Sequence, residues 1–516
     1  GYADNSTILQ SYGNANVMGM EEAISGLTGG TYKTLIKDCY ARGSVSGSGN
    51  LNGLAFCDSG MVVNSYSAAN ISGGFGNGGL VSAQEEMMLP NVKFSFFDSD
   101  NAFDALSNRA FPRTTSEMKQ AETFIRAGWD FKGWGTNGVW NIGNGQNEGY
   151  PYLSWGFPAD PNVPAANLLP GVYTYQPSDI TTTSVTFHGE MPFLGSGTDV
   201  ATQYGFCWNT TGNPNKDDTK VELGIPVDTL SFSALVNSLT INTRYYARAY
   251  ATNGESTVYG DEIEFFTLPM EPVAPALGDG SWENPYQVAN LANLFWISRN
   301  LPATPMDYIH CIQTENIDAS ETATWYDGAG WPVIGTSLNK PYQGYYKGKQ
   351  HIISNLHINR PDAQHPVGLF GWPNATTIDS LGLENVNITG KNNVGAFVGT
   401  AWNSTQVVQC YVTGIVNGQN VVGGLIGHNN GSYITNSYSV AEVVGTDTVG
   451  GLLGYNESLN YTIGYCAGKV TGTNHVGGIT GASFNDMSSN NNCFWDSLAT
   501  TQLTREIGRA SCRERV

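Results

Sequence analysis

The sequence predicts an all-β protein in which two parallel β-solenoid segments flank an antiparallel β-sandwich. Three observations predict it. A glycine-bracketed apolar motif returns about every 27 residues in the C-terminal part, at 367, 394, 422, 449 and 476. A tyrosine-led string keeps a fixed phase beside it and also occurs near the N-terminus. Between the two repetitive parts, 171–268 carries alternating apolar residues and is bracketed by Pro-rich stretches. At 516 residues the chain is also too long for one compact core, and its length alone suggests about three domains.

Composition agrees with short strands and turns. Only 13% of residues are charged and 63 are Gly, a mixture that disfavours long helices. The formal charge of −20 repels polyanions on average, which argues against a nucleic-acid partner. No run of about 18 apolar residues occurs, so no transmembrane segment is expected. The chain opens Gly-Tyr-Ala-Asp-Asn with neither Met nor a charged-then-apolar leader, so the natural N-terminus is expected to lie upstream. Residues 506–516, EIGRASCRERV, are encoded by codons that resemble a common sequencing adapter and are expected to be read-through. Setting them aside removes one of the eight cysteines. An odd number at irregular spacing without a CxxC pair supports neither a disulfide framework nor a zinc site. Cys39 and Cys410, each just before a repeat Tyr, are expected to be buried thiols.

The repeats fix the geometry of the two ends. VGLFG at 367 is followed by VGAFVG at 394, VGGLIG at 422, VGGLLG at 449 and VGGITG at 476, in steps of 27, 28, 27 and 27. Beside it, Tyr411, Tyr438 and Tyr465 are followed at constant offsets by Gly414, Ala441 and Gly468, by Val416, Val443 and Val470, and by Gly418, Gly445 and Gly472. Local alternation inside each repeat excludes helices, so each repeat reads as one coil. Coils stacked about 4.8 Å apart place residues of equal phase over one another. Val422, Val449 and Val476 then form an interior column, Leu425, Leu452 and Ile479 another, and Asn429 over Asn456 an amide ladder. The glycines suit corners of positive φ or close backbone approach. Tyr12, Tyr40 and Tyr66 repeat the same offsets with Ala15, Gly43 and Ala69, then Val17, Val45 and Ile71, then Gly19, Gly47 and Gly73.

These residues, chiefly VGGLIG, VGGLLG and CYARGSVSG, resemble the GLUG repeat family of bacterial surface proteins. The resemblance covers roughly 1–157 and 277–500 and implies right-handed parallel β-helices and surface display, with no single chemistry. Some family members accompany a metalloprotease domain, but none of the seven His residues here starts an HExxH. GDGSWENPYQV at 278–288 resembles the usual start of such a solenoid, and 289–299 places Leu291, Leu294, Phe295 and Ser298 at helical spacing, as a leading cap would. After the first solenoid come FFD at 96–98, a helix starting near Ser116 with Met118, Ala121 and Ile125 on one face, then Trp140 and YPYLSW, which read as an exit cap.

The linkers 158–170 and 269–276 are Pro-rich and stiff. Between them SVTFHG, QYGFCW, RYYARAYATN and DEIEFFT read as strands of a sandwich, and Leu239, Thr243 and Tyr245 resemble the fibronectin type III pattern in which a Tyr fixes a corner. No Arg-Gly-Asp is present. The expected domains are thus 1–157, an N-terminally truncated GLUG-type solenoid with its exit cap; 171–268, the sandwich; and 277–505, a second solenoid without an exit cap, whose open edge would invite end-to-end self-association. CFWD at 493–496 holds the place of FFD at 96–98.

No catalytic constellation emerges. Acid–base work on a glycosidic bond needs paired carboxyls within several ångströms. By phase, however, Glu442 neighbours Ile415 and Lys469, Asp447 neighbours Asn420 and Asn474, and Glu457 neighbours Asn430 and Phe484. Asp98, Asp100 and Asp104 mimic the start of a calcium loop, yet Phe103 and Arg109 stand where it needs Gly and Glu. Trp325, Tyr326 and Trp331, near Asp318 and Asp327, form a candidate glycan-contact patch; the competing reading is that WPVIG at 331–335 packs the first coil. His351 and His357 flank a strand and are expected to share a face, without a carboxylate partner. No cofactor is called for. The expected role is that of a non-enzymatic extracellular or bacterial cell-surface protein, adhesin-like, whose partner is an extracellular protein or glycan. The alternatives are a carbohydrate-active β-helix enzyme and a passive stalk presenting a catalytic module.

Overall fold

The computed structural model describes residues 2–501 apart from 21–22, 74–76, 84–89, 103–109, 135–137, 144, 156–166, 303–306, 338–339, 458–461 and 485–491. Asp104, much of the 158–170 linker and the whole of 506–516 therefore lie outside the described residues. The chain is all-β with little helix, and two compact units divide it: 1–180 with 184–238 and 245–265, and 181–183 with 239–244 and 266–516.

In the first unit, the strands Tyr12–Gly19 and Tyr40–Gly47 pair in parallel with Tyr12 opposite Tyr40 and Val17 opposite Val45. Tyr66 continues the column next to Tyr40, and Ile71 next to Val45. A second face stacks Tyr2–Asp4, Thr28–Lys37, Ala55–Val63 and Val81–Ser82, and a third pairs Ile24–Ser25 with Leu51–Asn52. Inside lie Val45, Leu51, Leu54 and Val62, together with the thiol of Cys39, whose pKa burial pushes up to about 11. Phe96–Asp98 adds to Tyr66–Ser67, and short helices follow at Thr115–Met118 and Ala121–Ile125. Thr114 and Glu117 close a capping box on the first helix. Met118, Ala121 and Ile125 are all buried, as their spacing predicts.

The same unit carries antiparallel strands. Gly171–Ser178, Val185–Phe193 and Leu230–Val236 form one sheet; Gln203–Asn209 joins Thr219–Gly224 and Arg244–Thr252 in another. Alternation turns Phe187 from the first sheet toward Phe206, Trp208 and Phe265, with ring centroids 5.5–5.6 Å apart.

In the second unit, parallel coils run from Tyr286–Val288 to Asn492–Trp495. Val394, Val422, Val449 and Val476 are consecutive register partners, as the 27-residue step requires. The first three are fully buried; Val476, on the last of these coils, is half-buried because no further VGG coil covers it. Leu425, Leu452 and Ile479 are also fully buried, and Asn429 Nδ2 donates to Asn456 Oδ1 at 2.9 Å within the interior. The leading helix spans Leu291–Arg299, capped by the Asn290 side chain, and buries Leu291, Leu294, Phe295 and Ile297.

The VGG glycines serve close approach: a Cβ on Gly424 would collide with the carbonyl oxygen of Gly451 on the next coil. The left-handed corner falls elsewhere, on Asn393, Val421, Thr448 and His475, each one residue before the repeat Val, with φ between 46° and 57°. For β-branched Val421 that conformation is strained.

Candidate functional site

The outer face of the first coils of the second unit holds an aromatic cleft of about 350 Å³, lined by Trp282, Tyr308, His310, Gly344, Tyr345 and Lys347. Strand parity builds its floor. In Tyr342–Lys347, Tyr342 and Tyr346 point inward and are fully buried, so Tyr345 must point out. Tyr346 pairs with Cys311 on one side and Ile378 on the other, all interior; by the same alternation His310, Tyr345 and Thr377 line up outside.

Backbone contacts hold the leading loop against this face. His310 N–H donates to the Gly280 carbonyl at 2.9 Å, and Tyr286 N–H to the His310 carbonyl at 2.9 Å. The Asp279 carboxylate accepts from Ser281 N–H at 2.9 Å and Asn284 Nδ2 at 3.2 Å; hydrogen bonding to the Ser281 side chain, then to its N–H and to Asn284, keeps its pKa below the usual carboxylate range. The loop so braced presents Trp282, 66% exposed, while the Tyr345 hydroxyl donates to the Trp282 carbonyl at 3.1 Å.

Trp282 stands edge-on to Tyr345 and to His310, with centroids at 5.1 and 5.2 Å, and Tyr308, 54% exposed, stacks on His310 at 6.1 Å. Lys347 Nζ lies 4.2 Å from the Tyr345 ring centroid and 5.9 Å from that of Trp282, within cation–π range. His310 Nδ1 accepts from Tyr345 N–H at 3.1 Å, which only a neutral imidazole can do. Burial, aided by the Lys347 charge, accordingly lowers its pKa. Gly344 makes the packing possible: with φ of 125°, it leaves free the space beside Ile309 O and His310 Nδ1 that a Cβ would fill. The result is a rigid floor of Tyr345 and His310 between two exposed ring walls, with one ammonium at its edge.

The sequence-predicted candidates lie elsewhere. Trp325 and Trp331 are 2% and 0% exposed, stacked on each other at 5.8 Å and meeting Phe295 of the leading helix at tilted and edge-on angles. Their rings are spent on the first coil's interior, and of the three only Tyr326 keeps partial exposure. Its ring meets Phe266 edge-on at 5.6 Å, Asn242 Oδ1 accepts from its N–H, and Asp327 pairs with Arg244 at 3.0 Å.

Asp98 is buried and accepts from the Tyr150 hydroxyl at 2.6 Å, the Thr115 hydroxyl at 2.8 Å and Asp100 N–H at 3.0 Å, so it fastens the segment that follows. His351 contacts Asn316 and His357 the Gly328 carbonyl; Asn355, at φ 60°, breaks the strand between them, so parity does not carry from one to the other. Glu442 does meet Lys469, at 3.2 Å, and Asp447 meets His475, at 2.6 Å. Among the described residues no group of three or more His, Cys, Asp or Glu gathers as a metal-ligand set, and no helix is long and apolar enough to cross a membrane.

Trp282 and Tyr308 were not singled out by sequence. The signal was present in GDGSWENPYQV, where a Trp sits in a polar turn, and in the Tyr345-Tyr346 pair, one member of which must face outward.

No family model matches the chain. It is 36% identical over 183 residues to halomucin of Haloquadratum walsbyi, covering 34% of this chain and 2% of that protein. To an immunoglobulin A1 protease of Streptococcus sanguinis it is 33% identical over 111 residues, 22% of this chain and 5% of the protease. To a putative Gly-rich membrane protein of Evansella cellulosilytica it is 30% identical over 167 residues, 31% and 16% respectively. The chain therefore spans only a small part of the length of each of these relatives.

Proposed function

We propose that this chain is an extracellular, cell-surface repeat protein that acts as an adhesin-like binder of glycans, with the Trp282–Tyr308 cleft as its contact site. The observation that carries the proposal is the pair of exposed rings held over a rigid aromatic floor beside a lysine. Flat rings stack on the apolar faces of pyranoses, and an ammonium donates to hydroxyl or carboxylate oxygens. Similarity to halomucin, an immunoglobulin A1 protease and a putative Gly-rich membrane protein supports a surface or extracellular setting.

On this reading the parallel coils are GLUG-type repeats, supported by the in-register Tyr, Val and Gly columns, and the antiparallel sheets of 171–268 are a fibronectin type III-like spacer, supported by the shared aromatic interior. The protein is non-enzymatic. Among the described residues of the aligned coils, Glu442, Asp447 and Glu457 meet Lys469, His475 and His428, and Glu384 the Tyr411 hydroxyl, not a second carboxylate. The test is retention of the full chain on an immobilised panel of neutral and acidic oligosaccharides, beside Trp282→Ala and Tyr308→Ala. Binding to at least one glycan, weakened tenfold or more in both variants, is expected. Unchanged binding in the variants would move the site elsewhere, and release of reducing ends or unsaturated sugars would overturn the non-enzymatic reading.

A further inference from the structure

The first unit stacks the rings of Tyr12, Tyr40 and Tyr66 on successive coils, 5.0 and 5.2 Å apart and within 6° of parallel. Phe96 continues the column in register. The second unit repeats the device: Tyr411 and Tyr438 stack at 5.1 Å and 7°, and Tyr465 and Phe494 follow in register. Past the first ring of each, the two ladders have opposite fates. Tyr12 is 51% exposed, but Tyr40, Tyr66 and Phe96 are 5%, 0% and 0% exposed, whereas Tyr438, Tyr465 and Phe494 are 40%, 42% and 44% exposed.

Aromatic groups of one later stretch cover the first ladder. Trp140 lies 6.1 Å from both Tyr40 and Tyr66, tilted by about 50°; Phe124 and Trp129 approach Tyr66 and Phe96 in the same tilted or edge-on manner. The Tyr66 hydroxyl donates to the Pro151 carbonyl at 2.6 Å and accepts from Asn147. All of these groups belong to one stretch, 114–153, which the buried Asp98 ties down.

From this internal comparison we infer that the Tyr438–Tyr465–Phe494 face is a docking surface for a polypeptide partner segment built like 114–153, a short Phe-bearing helix followed by a Trp-bearing strand. The internal comparison selects this occupant over a sugar. The equivalent ladder of the first unit is covered by tilted and edge-on aromatics of a polypeptide segment, and the face of Tyr438 turned toward Tyr411 is closed to a stacking pyranose. The burial of the first ladder shows how much apolar surface such a segment removes from water, the dominant favourable contribution to association.

One position distinguishes the two faces. Arg42, two residues after Tyr40, pairs with Glu148 of the covering segment at 2.6 Å. Its counterpart two residues after Tyr438 is Val440, 43% exposed. The partner segment should therefore present an apolar residue where 114–153 has Glu148, because a carboxylate placed against Val440 would lose water without gaining a cation.

A synthetic peptide of residues 114–155 is the probe. Its own ladder is already covered in the full chain, so binding to the full chain reports on the second face. We expect saturable binding by fluorescence anisotropy, weakened at least tenfold by Tyr438→Ala combined with Tyr465→Ala, and strengthened several-fold when the peptide carries Glu148→Leu. Hydrogen exchange of the strands at 442–456 checks that the double variant keeps its coils. Absence of binding by both peptides, equal binding to the intact double variant, or loss of affinity with Glu148→Leu would each overturn the inference.

Discussion

Replacing Leu452 by Ala should open the coil stack locally, and the size of the effect follows from its place in the column. Leu452 is fully buried, lies in phase with Leu425 and Ile479, and its backbone bonds to both neighbouring coils. Removing three buried carbons costs about 0.8 kcal/mol each in transfer, and the cavity left behind brings Leu→Ala changes into a range of about 2–5 kcal/mol. Stacked coils hold each other on both sides and leave little room to collapse into the gap, so about 3 kcal/mol is expected. In solenoids such a loss is felt mainly in the altered coil and its neighbours, so global melting is a poor readout. Hydrogen exchange read by mass spectrometry is the better assay. At about 1.4 kcal/mol per decade, amides of Asp447–Asn456 should exchange roughly a hundredfold faster. The antiparallel strand Gln203–Asn209 should be unchanged. Ile415→Ala, at a position 43% exposed on a neighbouring coil, is the control and should shift exchange by less than about 0.5 kcal/mol. If Leu452→Ala behaved like Ile415→Ala, the interior column would be refuted.

Three further outcomes follow from single residues. Val421 holds a left-handed φ of 57° that its counterpart Asn393 adopts more easily, so Val421→Asn should stabilise its coil by about 1 kcal/mol, seen as slower exchange; faster exchange would contradict the strain argument. Asp98→Ala leaves the buried Tyr150 hydroxyl without its acceptor, a cost of about 1–3 kcal/mol, and removes the acceptor of the half-buried Thr115 hydroxyl, so limited proteolysis should then cut within 114–153 first. His310 has a lowered pKa, so the unfolded chain binds its proton more tightly than the folded one. The stability it contributes is whole above pH about 6.5 and falls as pH drops below that value. Glycan affinity should weaken over the same interval, because protonation breaks the bond from Tyr345 N–H, and His310→Asn should flatten the profile.

The periodic parts of this fold were legible because each coil repeats the same demands. Val394, Val422 and Val449 occupy the columns that spacing alone assigns them, and the leading helix begins at Leu291, the first residue of its apolar pattern and two residues after the expected start at 289, because Asn290 is used as its cap. Corners were less legible. The doubled glycines fit positive φ or close backbone approach, and of the two they answer to contact between coils, while the left-handed position falls on Val421 and Thr448, residues that no propensity argument would choose. The candidate site was missed for a related reason. Trp325 and Trp331 could be read either as a surface patch near carboxylates or as packing of the first coil, and their burial under the leading helix agrees with the packing. Trp282 and Tyr308 reach the surface cleft from segments far apart in sequence, and only the stacking of coils brings them to Tyr345.

The measurement that bears most directly on the proposed binding site is the fluorine spectrum of the full chain labelled with 5-fluorotryptophan and titrated with oligosaccharides from the panel. Trp282→Phe identifies the resonance of the exposed ring, and Trp325→Phe and Trp331→Phe those of the buried pair. The Trp282 resonance should shift saturably while the Trp325 and Trp331 resonances stay fixed. Saturable shifts confined to Trp325 and Trp331, or no movement of the Trp282 resonance with any glycan in the panel, would contradict the proposed binding site.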